Sequence, residues 1–200
     1  MDLVCATFGS DAEKAAQYAA TLCSVGIERG VIGPSEAPRI WDRHLLNCGV
    51  IAPAFPFGAR VVDVGSGAGL PGIPLALARG DLKVTLLDSL ARRVRFLVEV
   101  AAALELAARV SAVQGRAEEH RQRYDVVTAR AVAPLGVLGR WTARLVESGG
   151  LLLAMRGGRA ERDVFEAAGE LRRAGWTEVH VVTYGHELPT PTRIVKAVKR

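Results

Sequence analysis

The sequence has few cysteines and few aromatic residues, and it lacks any long hydrophobic run. Its three cysteines, Cys5, Cys23 and Cys48, are odd in number and form no C-x-x-C pair. They are therefore typical of reduced thiols in a cytoplasmic protein rather than of a disulfide framework or a metal site. No apolar run has the length needed to span a bilayer, and no signal peptide is expected. These features argue against a disulfide-stabilised secreted domain and against a membrane protein.

The charge is unevenly distributed along the chain. The net charge is +5: residues 1–100 hold ten Lys and Arg against ten Asp and Glu, whereas residues 101–200 hold sixteen against eleven. Most of the basic residues are arginine, whose planar guanidinium suits bidentate contacts with phosphate. Nucleic acid is thus a candidate partner. Alternatively, a high-GC genome encodes arginine rather than lysine, and the arginines lie on solvent-exposed faces without a partner. Composition alone does not distinguish these two explanations.

Length and periodicity indicate one α/β domain over residues 1–200. Half of the residues are hydrophobic, which is enough for a full core. Helical spacing at 11–25 and 39–51, separated by a loop-like segment, predicts an N-terminal helical extension over 1–55 and a Rossmann-like core over 56–200. In the core, strands are predicted at 60–64, 82–87, 109–114, 124–129, 149–155, 177–183 and 192–198. Helices are predicted at 71–79, 89–106, 117–121, 134–147 and 158–174.

This alternation of strands and helices predicts a mostly parallel sheet with helices on both faces. The gap at 184–191 is too short for a helix and fits a hairpin, so the sheet should end antiparallel. Seven strands with such an end are the layout of class I methyltransferases rather than of the six-stranded dinucleotide fold. The helix over 158–174 is expected to bury an apolar stripe formed by Val164, Phe165, Ala168 and Leu171.

The densest group of glycines follows the first predicted strand, where residues 61–72 read V-V-D-V-G-S-G-A-G-L-P-G. Glycines at Gly65, Gly67 and Gly69 permit positive φ and close approach of a ligand to the backbone. The helix that begins near Pro71 offers unpaired N–H groups to acceptors on a ligand. The segment therefore predicts a site for a nucleotide-like cofactor, with a ligand-free glycine turn as the alternative.

Two cofactor classes fit this loop. Residues 67–72 match the dinucleotide pattern G-x-G-x-x-G. Residues 63–69 match D-x-G-x-G-x-G, the loop of S-adenosylmethionine (SAM) methyltransferases, in which the acid meets the ammonium group of the cofactor directly or through water. A pyrophosphate gains nothing from a neighbouring carboxylate, so Asp63 favours SAM over NAD.

Further candidate residues follow the next strands, because the carboxyl ends of parallel strands meet at one edge of a sheet. Asp88 is predicted to accept hydrogen bonds from the ribose hydroxyls. The alternative is that Asp88 caps the following helix, although Ser89 could also do so. Ala117 and Glu118 follow the third strand and are predicted to lie beside the adenine, with a helix cap as the alternative for Glu118.

Two arginines end later strands. Arg130 ends an otherwise apolar strand, and burying it is costly without an anionic partner. It is predicted to contact the cofactor or RNA, with an internal ion pair to Asp63 or Glu118 as the alternative. Arg156 either contacts a substrate phosphate or is solvated.

The histidines indicate neither a metal nor a catalytic base. His44 is expected to be structural, with a backbone partner. The other three, His120, His180 and His186, share no metal-ligand spacing, and no metal is expected.

Several blocks occur in one order and resemble a known family: W-D-R-H-L-L-N at 41–47, V-G-S-G-A-G-L-P-G-I-P at 64–74, L-D-S-L at 87–90, R-R-V-R-F-L at 92–97, G-R-A-E-E at 115–119 and A-R-A at 129–131. Together they are similar to ribosomal RNA small subunit methyltransferase G, also called glucose-inhibited division protein B. The sequence of residues 41–47 resembles that of the actinobacterial branch of the family. The resemblance covers residues 10–200.

The resemblance implies methyl transfer from SAM to N7 of one guanine in 16S rRNA of the small ribosomal subunit. It implies that SAM is held at Gly65, Leu70, Ala117, Glu118 and Arg130, with Asp88 and Ser89 at the ribose. Two departures concern RNA contacts: the family often has Lys at Arg156, and it often reads R-H-I-L-D-S where residues 43–48 read R-H-L-L-N-C.

No catalytic side chain is expected, because guanine N7 carries an in-plane lone pair and needs no base before it attacks. Arg130 is expected to serve an anionic group, since the methylated base gains positive charge. Two rival functions remain. An NAD-dependent oxidoreductase should show a Tyr-x-x-x-Lys pair, which Tyr18, Tyr124 and Tyr184 lack. A non-catalytic RNA-binding protein should have lost part of the glycine loop, which is intact.

Overall fold

A seven-stranded sheet forms the centre of the computed structural model, which describes residues 3–200; residues 1 and 2 of the predicted domain lie outside the described residues. The strands are β1 Arg60–Val64, β2 Lys83–Asp88, β3 Val110–Gln114, β4 Tyr124–Arg130, β5 Val146–Arg156, β6 Trp176–Tyr184 and β7 Thr192–Lys199. Their order in the sheet is β3-β2-β1-β4-β5-β7-β6. Because β7 is antiparallel to both of its neighbours, the predicted mostly parallel sheet with an antiparallel C-terminal hairpin is confirmed.

Seven α-helices surround the sheet within residues 3–200: α1 Leu3–Phe8, α2 Ala12–Thr21, α3 Leu46–Gly49, α4 Gly72–Ala78, α5 Ala91–Ala103, α6 Leu135–Thr142 and α7 Ala160–Arg173. Short 3₁₀ or π turns extend the N-terminal ones at Gly9–Asp11, Leu22–Gly26, Pro34–Arg39, Ile40–Leu45 and Ala52–Ala54. None of the helices in this part of the chain is long and apolar enough to cross a membrane.

The two faces of the sheet bury separate clusters of apolar side chains. Val61 points into one cluster and Val62 into the other, because neighbouring side chains of a strand point to opposite faces. The N-terminal helices contribute Tyr18 and Leu22 to the first cluster, where Leu97 of α5 also packs. The N-terminal segment is therefore part of the core on one face of the sheet.

Several predicted boundaries are wrong. Residues 117–121 form an isolated turn, in which Glu119 and His120 both donate to the Arg116 carbonyl, and not a helix. The helix predicted over 134–147 ends at Thr142, and β5 begins at Val146 with a register shift against β4. Part of the loop predicted between the first two helical segments is helical, over Pro34–Arg39.

The face of α7 also differs from the prediction. Phe165 is 84% exposed, whereas Ala160, Ala167 and Leu171 are buried. Val164 and Leu171 pack against the core as predicted, but Phe165 and Ala168 are wrong, because both are exposed. The buried face instead runs through positions 160, 164, 167 and 171, which lie three or four residues apart and therefore share one side of the helix.

Candidate cofactor site

A cavity of about 340 Å³ opens at the carboxyl ends of β1 to β4. In the sheet, β1 lies between β2 and β4, so the chain crosses from one side of β1 to the other after β3. Such a switch point is where open α/β sheets bind ligands. Of the predicted site residues, the cavity wall contains Gly65, Asp88, Ser89, Ala117, Glu118 and Arg130. The wall does not contain Asp63, Gly67, Gly69 or Leu70, which lie in or behind the loop.

The glycine loop needs glycine at two positions for different reasons. Gly65 has φ +67°, and a Cβ there would lie 2.7 Å from Val132 Cγ2, across the cavity wall. Gly69 has φ +98°, and a Cβ there would lie 2.7 Å from Ile73 Cγ1. Gly65 therefore keeps the cavity open, whereas Gly69 lets the loop pack against the core.

Asp88 connects this loop to the start of α5. Its side chain is 2% exposed. One carboxylate oxygen, Oδ2, accepts from the Gly67 N–H at 2.9 Å, and Oδ1 accepts from the Leu90 N–H at 2.9 Å. Arg93, which was not predicted as a site residue, approaches Oδ2 with Nη1 at 3.4 Å. The bond to Leu90 closes a turn just before α5; the N-cap residue of α5 is Leu90, so the alternative that Asp88 caps the helix is wrong. A carboxylate offers about four acceptor positions, so a ribose contact stays a prediction that this geometry allows.

Asp63 lies behind the loop and not on the cavity wall. Its side chain is fully buried, and Oδ2 accepts from the Gly72 N–H at 3.0 Å. Within residues 3–200, Oδ1 has no hydrogen-bond partner. Burial raises the pKa of the Asp63 carboxyl to about 7, and the Gly72 hydrogen bond offsets only part of that effect. Its predicted contact with an ammonium group stays a prediction.

Replacing Asp63 by asparagine is expected to change how stability depends on pH. The raised pKa means that the folded state favours the protonated acid, so its contribution to stability is complete below about pH 4 and is lost as pH rises through 7. The shift corresponds to roughly 4 kcal/mol. Asparagine stays neutral and keeps an acceptor for Gly72. The free energy of unfolding is measured with urea from pH 5 to 8 for Asp63→Asn and for the unmodified protein. The value for Asp63→Asn minus that for the unmodified protein should increase as the pH rises. A constant difference across this range would contradict the raised pKa.

Ala117 and Glu118, which follow β3, also line the first cavity. Ala117 is buried among the apolar side chains of the second cluster. Glu118 follows it in the turn, and its backbone carbonyl accepts from Arg144 Nη1. With no helix at 117–121, Glu118 is not a helix cap, and its side chain stays a candidate for contact with the cofactor.

Arg130 ends β4 with its guanidinium held by groups of the N-terminal segment. Nη2 donates to the Arg43 carbonyl at 3.0 Å, and Nη1 donates to Cys48 Sγ at 3.4 Å. The alternative of an ion pair with Asp63 or Glu118 is wrong, because within residues 3–200 the guanidinium bonds to these two neutral groups and not to a carboxylate. Neutral groups therefore orient the guanidinium without neutralising its charge, and it can still pair with an anion.

A second and larger cavity, of about 980 Å³, adjoins the first and shares Arg130 and Ala131 with it. Its wall carries five arginines against two carboxylates: Arg39, Arg43, Arg130, Arg156 and Arg159 against Asp42 and Asp163. Arg156 donates to the Ala133 carbonyl at 2.9 Å and is 13% exposed, so the solvated alternative for it is wrong. Prolines and Met155 make the rest of the wall partly apolar.

His44 is structural, as predicted, but its partner is not the backbone. Nε2 lies 2.8 Å from Glu36 Oε2, and the side chain is buried. Burial lowers the pKa of His44 despite the neighbouring carboxylate. Within residues 3–200, no group of three His, Cys, Asp or Glu side chains lies close enough to hold a metal.

Comparison with known proteins decides the family. The family model described as GidB, rRNA small subunit methyltransferase G, matches residues 11–190. The chain belongs to this family. The ribosomal RNA small subunit methyltransferase G of Corynebacterium glutamicum is 48% identical over 198 residues, which cover 96% of this chain and 88% of the relative. The protein of the same name from Salinispora tropica is 50% identical over 202 residues, covering 96% and 83%. The resemblance and its actinobacterial branch are thus confirmed.

Solved structures show the same fold at low sequence identity. The apo form of the SAM-dependent methyltransferase SibL has a TM-score of 0.67 and 20% identity, covering 98% of this chain and 73% of that one. A putative SAM-dependent methyltransferase from Methanococcus maripaludis has a TM-score of 0.64 and 15% identity, covering 92% and 91%. The class I methyltransferase fold predicted from the strand pattern is therefore confirmed.

Proposed function

We propose that this member of the methyltransferase G family transfers the methyl group of SAM to N7 of one guanine in 16S rRNA, acting on the small ribosomal subunit in the cytoplasm. The observation that carries the proposal is the pair of adjoining cavities at the switch point, one beside the glycine loop and one rich in arginine. The names of relatives that are about half identical to the chain support the same substrate.

The first cavity suits SAM in size and in the chemistry of its wall. Its volume lies within the usual range for ligand sites. We propose that Gly65 and Gly67 allow the cofactor to approach the backbone, that Asp88 and Ser89 contact the ribose, and that Ala117 and Glu118 lie beside the adenine. Asp63, Gly69 and Leu70 would act from behind this surface by shaping the loop, Asp63 through the hydrogen bond that it accepts from the Gly72 N–H.

The reaction requires no covalent bond between the protein and its substrates. When bound, SAM supplies an activated methyl group, because a sulfonium cation carries it. The side chains of the site then have to orient the base in line with that methyl group and to exclude water, which is a contribution of proximity and orientation. A catalytic base is not required, since neutral guanine has no hydrogen on N7.

The second cavity is the proposed place for the RNA. Guanine N7 lies in the deep groove of an A-form helix, which side chains cannot read, so the target base must be unpaired or flipped out. Arginines at the cavity wall can hold the phosphates on either side of such a base. Arg130 and Ala131 belong to both walls, so a base in the larger cavity would face the cofactor across Arg130. Affinity for RNA should fall as salt concentration rises.

The two rival functions lack support in the geometry. The tyrosines Tyr18 and Tyr124 are buried and neither lines the first cavity, so neither is placed as the proton donor of an NAD-dependent oxidoreductase. A binding protein without activity would not need the intact loop. Calorimetry with SAM and with NAD separates these functions, because only the proposed one requires SAM binding without NAD binding.

One assay tests the substrate directly. The protein is incubated with radiolabelled SAM and with small ribosomal subunits from a strain that lacks it, and the labelled nucleotide is mapped. We expect label at N7 of a single guanine in 16S rRNA. Label on protein or small molecules with none on RNA would refute the substrate, and label at a ring position other than N7 would refute the chemistry.

A further inference from the structure

Tyr18 of α2 reaches the glycine loop from the N-terminal segment. Its side chain is fully buried, and its hydroxyl donates to the Ala68 carbonyl at 2.6 Å. Ala68 lies between Gly67 and Gly69, and a Cβ at Gly69 would come within 3.0 Å of the Tyr18 hydroxyl. The tyrosine therefore packs directly beneath the loop and hydrogen-bonds to its backbone.

Two side chains from different parts of the fold hold neighbouring residues of this loop. Asp88, at the end of β2, accepts from the Gly67 N–H, and Tyr18 donates to the carbonyl of the next residue, Ala68. Together they fix the peptide groups on both sides of the Gly67–Ala68 pair. Gly67 has φ +58°, a conformation that glycine adopts readily. These two side-chain bonds hold it there together with the Gly69 N–H, which donates to the Ser66 carbonyl at 2.7 Å.

The surroundings of Tyr18 keep its hydroxyl protonated, so that it can donate a hydrogen bond. Burial raises the pKa of Tyr18 well above its ordinary value, and the neighbouring Cys48 and Asp63 act in the same direction. The phenol is therefore neutral throughout the physiological range. The Ala68 carbonyl is its only acceptor among the described hydrogen bonds, so the contact does not switch with pH.

We propose that Tyr18 is a positioning residue for SAM: its hydroxyl holds the glycine loop in the conformation that receives the cofactor. The inference rests on the proposed function and adds that the N-terminal helical segment is part of the cofactor site. Tyr18 would act through the loop, since it does not line the cavity itself.

The test compares Tyr18→Phe with Tyr124→Phe. Tyr124 is also buried and its hydroxyl lies 2.8 Å from His120 Nε2, but it begins β4 at the end of the strand away from Arg130. Both variants lose one side-chain hydrogen bond, buried for Tyr18 and partly buried for Tyr124, and both keep the ring. We expect Tyr18→Phe to weaken SAM binding by roughly 5- to 50-fold, because a buried carbonyl is left unsatisfied and the loop relaxes. Its KM for SAM should rise while kcat at saturating SAM stays nearly unchanged.

A second measurement addresses the loop without cofactor. Amide hydrogen exchange over residues 65–72 should quicken in Tyr18→Phe and not in Tyr124→Phe. Both comparisons are repeated in a stabilising osmolyte, so that lost stability does not prevent them.

Equal SAM affinity in the two variants would overturn the inference, because it would make the role of Tyr18 merely structural. If the unmodified protein fails to bind SAM, the proposed function itself is refuted, and that result is visible before the variants are compared.

Discussion

Replacing Gly67 by arginine is expected to weaken SAM binding by more than about 100-fold, which corresponds to about 2.7 kcal/mol. The position has open space: a Cβ there would meet only the Gly65 carbonyl, at 3.8 Å. The core is therefore not disturbed. The new side chain starts in the loop between Gly65 and Asp88, which both line the first cavity, and it brings positive charge to a site proposed for a sulfonium cofactor.

Gly58→Arg is a closely matched control. Gly58 has φ +67° against +58° for Gly67, and a Cβ there would meet nothing within 4 Å. Its N–H also donates to a carboxylate, that of Asp81, at 2.7 Å. The two substitutions thus carry the same backbone strain, of roughly 1–2 kcal/mol, and should lower the melting temperature alike.

Calorimetry with SAM distinguishes the two variants. Only Gly67→Arg should lose binding, since Gly58 precedes β1 at the far end of the strand from the cavity. Unchanged affinity in Gly67→Arg, or equal loss in both variants, would place the cofactor elsewhere.

Replacing Arg130 by methionine is expected to lower kcat/KM for methylation of the small subunit by about 100-fold or more. Truncating a charged group that contacts a buried ionic partner typically costs 2–5 kcal/mol, and each 1.4 kcal/mol is tenfold. In this fold the guanidinium is held by the Arg43 carbonyl and Cys48 Sγ, so its charge is not neutralised by a carboxylate. It lies on the walls of both cavities, where an anionic group of SAM or RNA can approach it.

The control is Arg60→Met, in the adjacent strand. Arg60 is at the amino end of β1 and pairs with Asp125 at 2.9 Å while remaining about half exposed. Its loss should change activity by no more than about threefold, as for a typical surface substitution. Arg130→Lys keeps the charge without the planar fork, so partial activity there would indicate a role of charge. Full activity in Arg130→Met would contradict the proposed role.

Much of the fold follows from local patterns. The bounds of β1, β2, β3 and β4 differ from the predicted ones by at most one residue, because each is a short apolar run ended by glycine or a charged residue. The failures have local causes too. The turn after Arg116 contains Ala and Glu, which favour helix. Only two backbone N–H groups, those of Glu119 and His120, form hydrogen bonds there, and both donate to the Arg116 carbonyl. That is too few for a helix, since nucleation is costly.

The candidate site was predictable as a set of residues but not as an arrangement. Asp88 and Arg130 both line the first cavity as strand ends should. The direction of the Asp63 carboxyl was not predictable, because it depends on the Gly72 N–H across the loop. Nothing near Tyr18 in sequence indicated a role, since its partner Ala68 lies 50 residues away.

The order of the elements, the chemical types at the strand ends and the family were determined by the amino-acid sequence alone, because apolar periodicity, glycine placement and motif spacing are properties of neighbouring residues. Only the tertiary structure decided that β7 lies between β5 and β6, that Arg130 is held by neutral groups and that two cavities meet at it. These features arise from contacts between segments distant in the chain, and their energies depend on burial and geometry that exist only once the sheet has formed.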